Sequence, residues 1–302
     1  MCAGGNIMIL GVDVGYSHTK VYGRNLEFSF KSTIEEEVLD ISNCIKVEYN
    51  GKNYTIGENN GLYATDINKI HSLNFKLCLY TAIAKAMKDN NIEEVKLVTG
   101  LPAQYYQSQK DELIKELMNQ KITLTLNDVP KRFTITDVIV FPQSAGILLL
   151  DPNKLNGDTC VIDIGGFTVD ISYFNNKKLR KLDTLELGMN VVGNNLVQKI
   201  KSEYGVSYDL LKVDDILNSK SIVKDNKVVN IENLIDEVLE KHTNLIINRL
   251  KGIQEYNISK HIYIGGGALR LSKYLKQDLD KDTIYINSKA FYKIGVEKFG
   301  EN

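Results

Sequence analysis

The chain has 302 residues, enough for two domains. With 43% hydrophobic and 25% charged residues, wholesale disorder, collagen and coiled coil are excluded as whole-chain answers. The 37 basic and 38 acidic residues leave a net charge of −1, so no global field draws the chain to nucleic acid, and short runs such as Glu35-Glu36-Glu37 read as solvated faces. Cys2, Cys44, Cys78 and Cys160 lie far apart, with neither CxxC nor Cys/His ligand spacing; they suggest no zinc site and no disulfide framework, and fit reduced thiols in a cytoplasmic setting. No apolar run is long enough to span a membrane. The leader Met1-Cys-Ala-Gly-Gly-Asn has no charged n-region and no apolar h-region, so it does not read as a signal peptide.

In chain order, Ile7–Val14 is an apolar run and His18–Tyr22 resumes after a glycine-containing turn: a buried strand, a tight turn and a second strand. Asn50-Gly51, between Val47–Tyr49 and Tyr54–Ile56, signals a hairpin. Ser72 caps a helix with apolar residues at Phe75, Leu77, Leu79, Ile83, Ala84 and Met87. Val95–Val98 is a short strand ending at Gly100-Leu101-Pro102. Ser108–Met118 is an amphipathic helix, and Ile122–Leu126 and Phe133–Phe141 are strands. After Pro142 the pattern predicts a helix over Ser144–Leu150, then the turn cluster Asp151-Pro152-Asn153, the best domain boundary. The pattern then restarts, with strands at Thr159–Ile164, Thr168–Phe174 and Leu179–Leu187. Helices follow at Asn190–Tyr204, Tyr208–Asn218 and Ile231–Leu250, the last with Leu234, Val238, Leu239, Leu245 and Ile246 on one face. Strand Ile262–Ile264 runs into Gly265-Gly266-Gly267, a helix continues to about Leu279, and Ser288–Phe299 is the final helix. Strands alternating with helices give an α/β class.

One internal repeat stands out. Gly11-Val-Asp13-Val-Gly15-Tyr-Ser-His-Thr-Lys20-Val resembles Val161-Ile-Asp163-Ile-Gly165-Gly-Phe-Thr-Val-Asp170-Ile, and each opens one half of the chain. Both read strand, Asp-x-Gly turn, strand. A glycine in such a turn removes the side chain that would keep backbone N–H groups from a phosphate. An Asp at the end of the first strand can hold Mg²⁺, directly or through water, and Lys20 can reach a phosphate as a point charge. One Asp-x-Gly alone reads as a plain turn; two at matching places favour a pair of facing phosphate hairpins. Tyr263-Ile-Gly265-Gly266-Gly267-Ala268 takes a strand into a helix N-terminus, which suits a flat or anionic ligand but equally a bare strand–helix turn; it is neither GxGxxG nor GxxxxGK[ST]. In Phe141-Pro142-Gln143-Ser144-Ala145-Gly146, Gln143 is neutral and cannot act as a base. It either orients a water or simply starts a helix.

In this order the four motifs resemble those of the actin, heat-shock chaperone and sugar kinase ATPase superfamily, from Ile7 to about Lys298. Within it, the compact length, the small segment after the first motif, the Phe-Pro-Gln-Ser connector and Leu187-Gly188-Met189-Asn190 look most like the bacterial plasmid-segregation actins of the ParM/StbA type. The resemblance implies a duplicated, ribonuclease H-like two-domain α/β fold with a nucleotide in the interdomain cleft. The first domain would span 1–152, with a small subdomain at about 31–65, and the second 153–287; a C-terminal helix at 288–302 would return to the first. It further implies ATP or GTP with Mg²⁺ as cofactors, a cytoplasmic homopolymer filament destabilised by hydrolysis, and an adaptor protein that links the filament to plasmid centromere DNA without direct nucleic acid binding by this chain.

By the same resemblance, Asp13 matches the Mg²⁺-associated Asp; Gly15, Tyr16, Ser17 and His18 match the first phosphate turn; and Lys20 matches a phosphate-contacting lysine. Asp163 matches the Asp near metal and attacking water, and Gly165, Gly166 and Thr168 its turn. Gly265, Gly266, Gly267 and Leu269 match the adenosine segment, and Gln143 falls where water is positioned. Tyr16 and His18 depart from the smaller residues often found there. Lys212 and Asp215 are offered to the ribose or base. A small-molecule kinase of the same superfamily is the alternative, but it needs a carboxylate to take the substrate's proton, and Gln143 supplies none. A chaperone-type binding module is disfavoured because the chain ends near Asn302 without span for a peptide-binding domain.

Overall fold

A computed structural model describes residues 7–36, 44–57, 62–63, 69–87, 93–277, 279 and 281–300. The leader with Cys2, the residue Glu37 and parts of the 31–65 segment lie outside the described residues.

Apolar alternation builds the first sheet. Among the described residues it has ten strands, ordered Leu26–Lys31, His18–Gly23, Ile7–Val14, Glu93–Leu101, Val129–Pro142, Gln120–Leu126, Ile45–Tyr49, Lys52–Ile56, Thr33–Glu36 and Leu62–Tyr63. Ile7–Val14 pairs antiparallel with His18–Gly23 and parallel with Glu93–Leu101, which is parallel in turn to Val129–Pro142. Successive residues face opposite ways along a strand. Leu97 accordingly joins the core beneath the helices Leu73–Ala86 and Tyr106–Leu117, whereas Val98 joins Phe291 and Ile294 on the other face. The Ser72 hydroxyl caps the helix Leu73–Ala86 by accepting from Phe75 N at 3.1 Å. The hairpin at Asn50-Gly51 forms with both residues at positive φ, 52° and 75°, as a two-residue loop requires.

The second sheet repeats the arrangement with four strands: Lys178–Leu185, Val169–Asn175, Asp158–Ile164 and Lys260–Ile264. Its first strand again pairs antiparallel with the next and parallel with a later one. One face, with Cys160, Ile162 and Ile164, packs on the helices Met189–Tyr204, Glu232–Lys251 and Gly265–Leu275; the other, through Val161, meets Ala145, Ile147 and Leu155 of the connecting segment. The last helix, Ile286–Phe299, leaves this half and lies on Ile7–Val14. The close approach is made by Gly11, where a Cβ would overlap the backbone of Ser288 and Tyr292.

Three expectations need correction. Ser144 does not start a helix: it has φ 68°, and only Ile147–Leu150 is helical. Gln143 and Ser144 instead form a turn anchored by Gln143 N donating to Leu101 O at 2.8 Å. The stretch Tyr208–Asn218 is a short 3-10 turn, Leu210–Lys212, followed by a helix at Val213–Ser219. The helix read to about Leu279 stops at Leu275, because Lys276 turns left-handed with φ 54°. The hairpin Ser221–Lys224 with Lys227–Asn230 escaped the sequence reading. Its turn, Asp225-Asn226, has both residues at positive φ, 48° and 59°, a geometry that Asp and Asn tolerate.

Candidate functional site

Two turns built alike face each other. In the first, Gly15 N donates to His18 O at 3.1 Å; in the second, Gly165 N donates to Thr168 O at 2.9 Å. The registers also match: Asp13 opposes Lys20, and Asp163 opposes Asp170. The turns touch tip to tip. The Tyr16 and Phe167 rings lie 5.0 Å apart between centroids, and a side chain at Gly166 would overlap Ser17. Since Gly15 is equivalent to Gly165, Tyr16 corresponds to Gly166 and Ser17 to Phe167. The contacts 16–167 and 17–166 therefore relate the turns by a local two-fold.

Beside this contact is a cavity of about 330 Å³, within the lower range for small-ligand sites. It is lined by Asp13, Gly15, Tyr16, Ser17, His18, Lys20, Gln143, Asp163, Gly165, Gly166, Thr168, Gly266 and Gly267, all singled out from the sequence. Gly265 and Leu269 are not part of the lining; Arg270 is. Lys212 and Asp215 do not line it either. They pair with each other at 3.9 Å with both side chains more than half exposed, while Val213, Asp214 and Leu217 reach the cavity.

The polar groups at its floor are connected. Gln143, 7% exposed, donates from Nε2 to Asp13 Oδ1 at 2.6 Å, and Lys20 Nζ lies 3.4 Å from Asp13 Oδ2. Burial works against the Lys20 charge, but Asp13 and Asp163 outweigh it and hold the ammonium's pKa above its usual value. Asp163 accepts from Asn287 Nδ2 at 2.7 Å. Burial pushes its carboxyl up to about 7; Lys20 opposes the rise, Asp13 and Asp170 add to it, and the Asn287 bond opposes it. Gly265, at φ 91°, sits against this carboxylate, and a Cβ there would overlap Asp163 Oδ1. Gly265 thus shapes the floor from behind.

Asp170 is also buried. It accepts from the Thr168 hydroxyl at 2.9 Å, the Thr184 hydroxyl at 2.6 Å and Ala103 N at 3.1 Å, so it ties the second turn to the loop after Glu93–Leu101. At the rim, His18 lies among Lys20, Lys31 and Asp214. Burial lowers its pKa to about 4, Lys20 adds to the fall, Asp214 opposes it and Lys31 adds again. Sequence reasoning missed Asn287, Arg270 and Asp214. Asp170 stood within the quoted repeat without a role of its own. Asn287, Arg270 and Asp214 carry no local spacing signal, and their roles depend on which elements meet.

Comparison with known proteins agrees with this architecture. Residues 11–146 match the family model for the actin-like proteins N-terminal domain, and residues 161–277 match that for the archaeal actin homologue MreB-like C-terminal domain. No curated protein matches the chain. Among solved structures, pCBH ParM, a non-polymerisable quadruple mutant, superposes with a TM-score of 0.83 at 21% identity, covering 97% of this chain and 100% of that one. A 15-stranded ParM filament from Clostridium botulinum gives 0.82 at 22% identity, covering 97% and 99%. An archaeal actin homologue in complex with ADP gives 0.78 at 22%, covering 96% and 99%. With both halves matched by actin-type families and the whole chain following one two-domain α/β architecture, the chain belongs to the actin-like proteins.

Proposed function

We propose that the cleft binds and hydrolyses a nucleoside triphosphate, ATP or GTP, with Mg²⁺, and that this controls assembly of the chain into cytoplasmic filaments that segregate plasmid DNA through a centromere-bound adaptor protein. The observation that carries the reading is the pair of equivalent Asp-x-Gly turns facing each other over one cavity. Supporting likenesses are the ADP complex of the archaeal actin homologue and the filament of the Clostridium botulinum ParM. We read the domains as 1–152, with the small subdomain at about 31–65, 153–287, and the returning C-terminal helix at 288–302.

Phosphoryl transfer to water asks a protein chiefly for positioning and charge neutralisation. The turns at Gly15–His18 and Gly165–Thr168 receive the phosphates, Lys20 adds positive charge, and Gly266 and Gly267 let the nucleoside lie against the helix start, with Gly265 and Leu269 supporting that segment. The residues fit a hard dication. Asp13 and Asp163 offer carboxylate oxygens, and no group of three or more His, Cys, Asp or Glu is gathered among the described residues, as suits an ion that takes most ligands from phosphate and water. Bound there, Mg²⁺ would neutralise charge on the phosphates. Gln143 commits its amide nitrogen to Asp13, which holds the side chain still; its amide oxygen is the group to accept from the attacking water, with Asp163 as second partner. Gln143 and Asp163 come from different halves, so the site is made where the halves meet.

The test is light scattering with ATP or GTP and Mg²⁺, followed by electron microscopy. Nucleotide-dependent filaments are expected. Absence of polymer over a broad concentration range, together with phosphorylation of an added sugar or acid, would overturn the reading in favour of a small-molecule kinase.

A further inference from the structure

We propose that Asn287 is a positioning residue that locks the Asp163 carboxylate to the Gln143 turn, so that both groups meet the cavity as one unit; this rests on reading the cleft as a nucleotide-hydrolysing site.

Asn287 stands in the first turn of the last helix and is 6% exposed. An Asn near a helix start ordinarily serves the helix's own free N–H groups. This one reaches outward at both ends of its amide. Nδ2 donates to Asp163 Oδ2 at 2.7 Å, and Oδ1 accepts from Ser144 N at 3.3 Å. The next residue back is Gln143, whose side chain donates to Asp13. Three hydrogen bonds and the Gln143–Ser144 peptide thus link Asp13, Gln143, Ser144, Asn287 and Asp163 in one path from the first turn to the second.

The geometry around Asn287 is stiff. Its helix lies on Ile7–Val14 at Gly11 and against Ile9 at Gly295, and Phe291, one helical turn on, is fully buried. Ser144 is held at φ 68°, a conformation costly for a non-glycine residue. Its hydroxyl also bonds Ser172 Oγ at 2.6 Å. The amide of Asn287 thus joins the Gln143–Ser144 connector and the final helix, the two passages of chain between the domains. The amide supplies a donor to the carboxylate and, from a separate atom, an acceptor for Ser144 N. Aspartate keeps the shape and the acceptor but sets a second carboxyl against Asp163, and alanine removes both ends.

The experiment compares full-length wild type, Asn287→Ala and Asn287→Asp, each with and without Gln143→Ala. Phosphate release gives kcat and KM, a fluorescent nucleotide gives affinity, and hydrogen exchange of the Ser144 amide is followed in the nucleotide-free protein. Turnover is expected to fall by roughly tenfold to a hundredfold, with affinity within about threefold in Asn287→Ala. The double variants should lose less than the product of the two single losses, and Ser144 should exchange faster in Asn287→Ala. The near-isosteric Asn287→Asp carries the test should Asn287→Ala not fold. Wild-type turnover in the Asn287 variants, losses that multiply with that of Gln143→Ala, or unchanged Ser144 exchange would overturn the proposal. A wild-type chain that hydrolyses no nucleotide would instead refute the hydrolysis reading, and the exchange result would still judge the bridge.

Discussion

At the scale of single residues, Gln143 carries the sharpest expectation. Its amide is buried and bonded at 2.6 Å to Asp13, so Gln143→Ala should keep nucleotide affinity while phosphate release slows by about a hundredfold; turnover at the wild-type rate would remove Gln143 from the mechanism. Gly265 combines φ 91° with a carboxylate where its Cβ would be. Gly265→Ala should therefore cost roughly 1–3 kcal/mol in urea unfolding and weaken nucleotide binding by displacing Asp163. A variant as stable as wild type would show the backbone there relaxes freely. His18 gives a pH dependence. Its folded pKa of about 4 lies below the ordinary 6.5 because burial, helped by Lys20, disfavours the cation. Between those values the unfolded chain binds more protons than the folded one. Stability is thus fully present above about 6.5 and is lost as pH falls toward 4, at up to about 1.4 kcal/mol per unit for one group. His18→Asn should flatten that part of the stability-against-pH curve, and an unaltered slope would assign the loss to other groups. Asp13, Asp163 and their glycines were legible because a turn's needs are local. Asn287 was not, because an Asn in a helix's first turn announces a cap and nothing in its neighbours points to Asp163.

At the scale of elements, the two hairpins could be read from repeated spacing, and the structure brings them together as equivalent turns. In the connector after Pro142 the sequence pattern predicts a helix over Ser144–Leu150. The carbonyl of Leu101, the side chain of Asn287 and the hydroxyl of Ser172 instead hold it as a turn. Long-range bonds overrode local propensity there. One aromatic lies at the centre of the final helix's packing. Phe291 is fully buried, and its ring fills the space beside Gly100, where a Cβ would overlap it. Phe291→Ala should cost about 3–5 kcal/mol in urea unfolding. A loss under 1 kcal/mol would mean the helix reseats without it.

At the scale of the molecule, the halves meet among the described residues through varied contacts. Ala103 N reaches Asp170 at 3.1 Å, Gln104 N reaches the Thr184 hydroxyl at 3.2 Å, and Lys31 lies 3.9 Å from Asp214. The Tyr16 and Phe167 rings close the centre. Of these only the Lys31–Asp214 pair is an ion pair with an exposed partner, worth little by itself; the Asp170 contacts are buried, and a ligand gripping both turns should add to them. At a hundred times its Kd, a nucleotide bound only by the folded chain adds about 2.7 kcal/mol. Thermal unfolding should move upward with ATP or GTP and Mg²⁺; a transition that ignores all nucleotides would count against the cleft as their site.

The sequence by itself determined the α/β class, the strand–turn–strand units at Asp13 and Asp163, and most of the residues that line the cavity. Strand periodicity and turn chemistry are properties of neighbours in the chain. Only the tertiary structure decided that Ser144 turns left-handed, that Asp214 and Arg270 rather than Lys212, Asp215 and Leu269 reach the cavity, and that Asn287 joins the connector to Asp163. Those outcomes depend on which elements meet across the cleft, and a burial or hydrogen bond between residues 143 positions apart, such as Ser144 and Asn287, leaves no trace in local pattern. The two domains that length alone suggested are thus bound together at a cluster of buried polar groups visible only once both are folded.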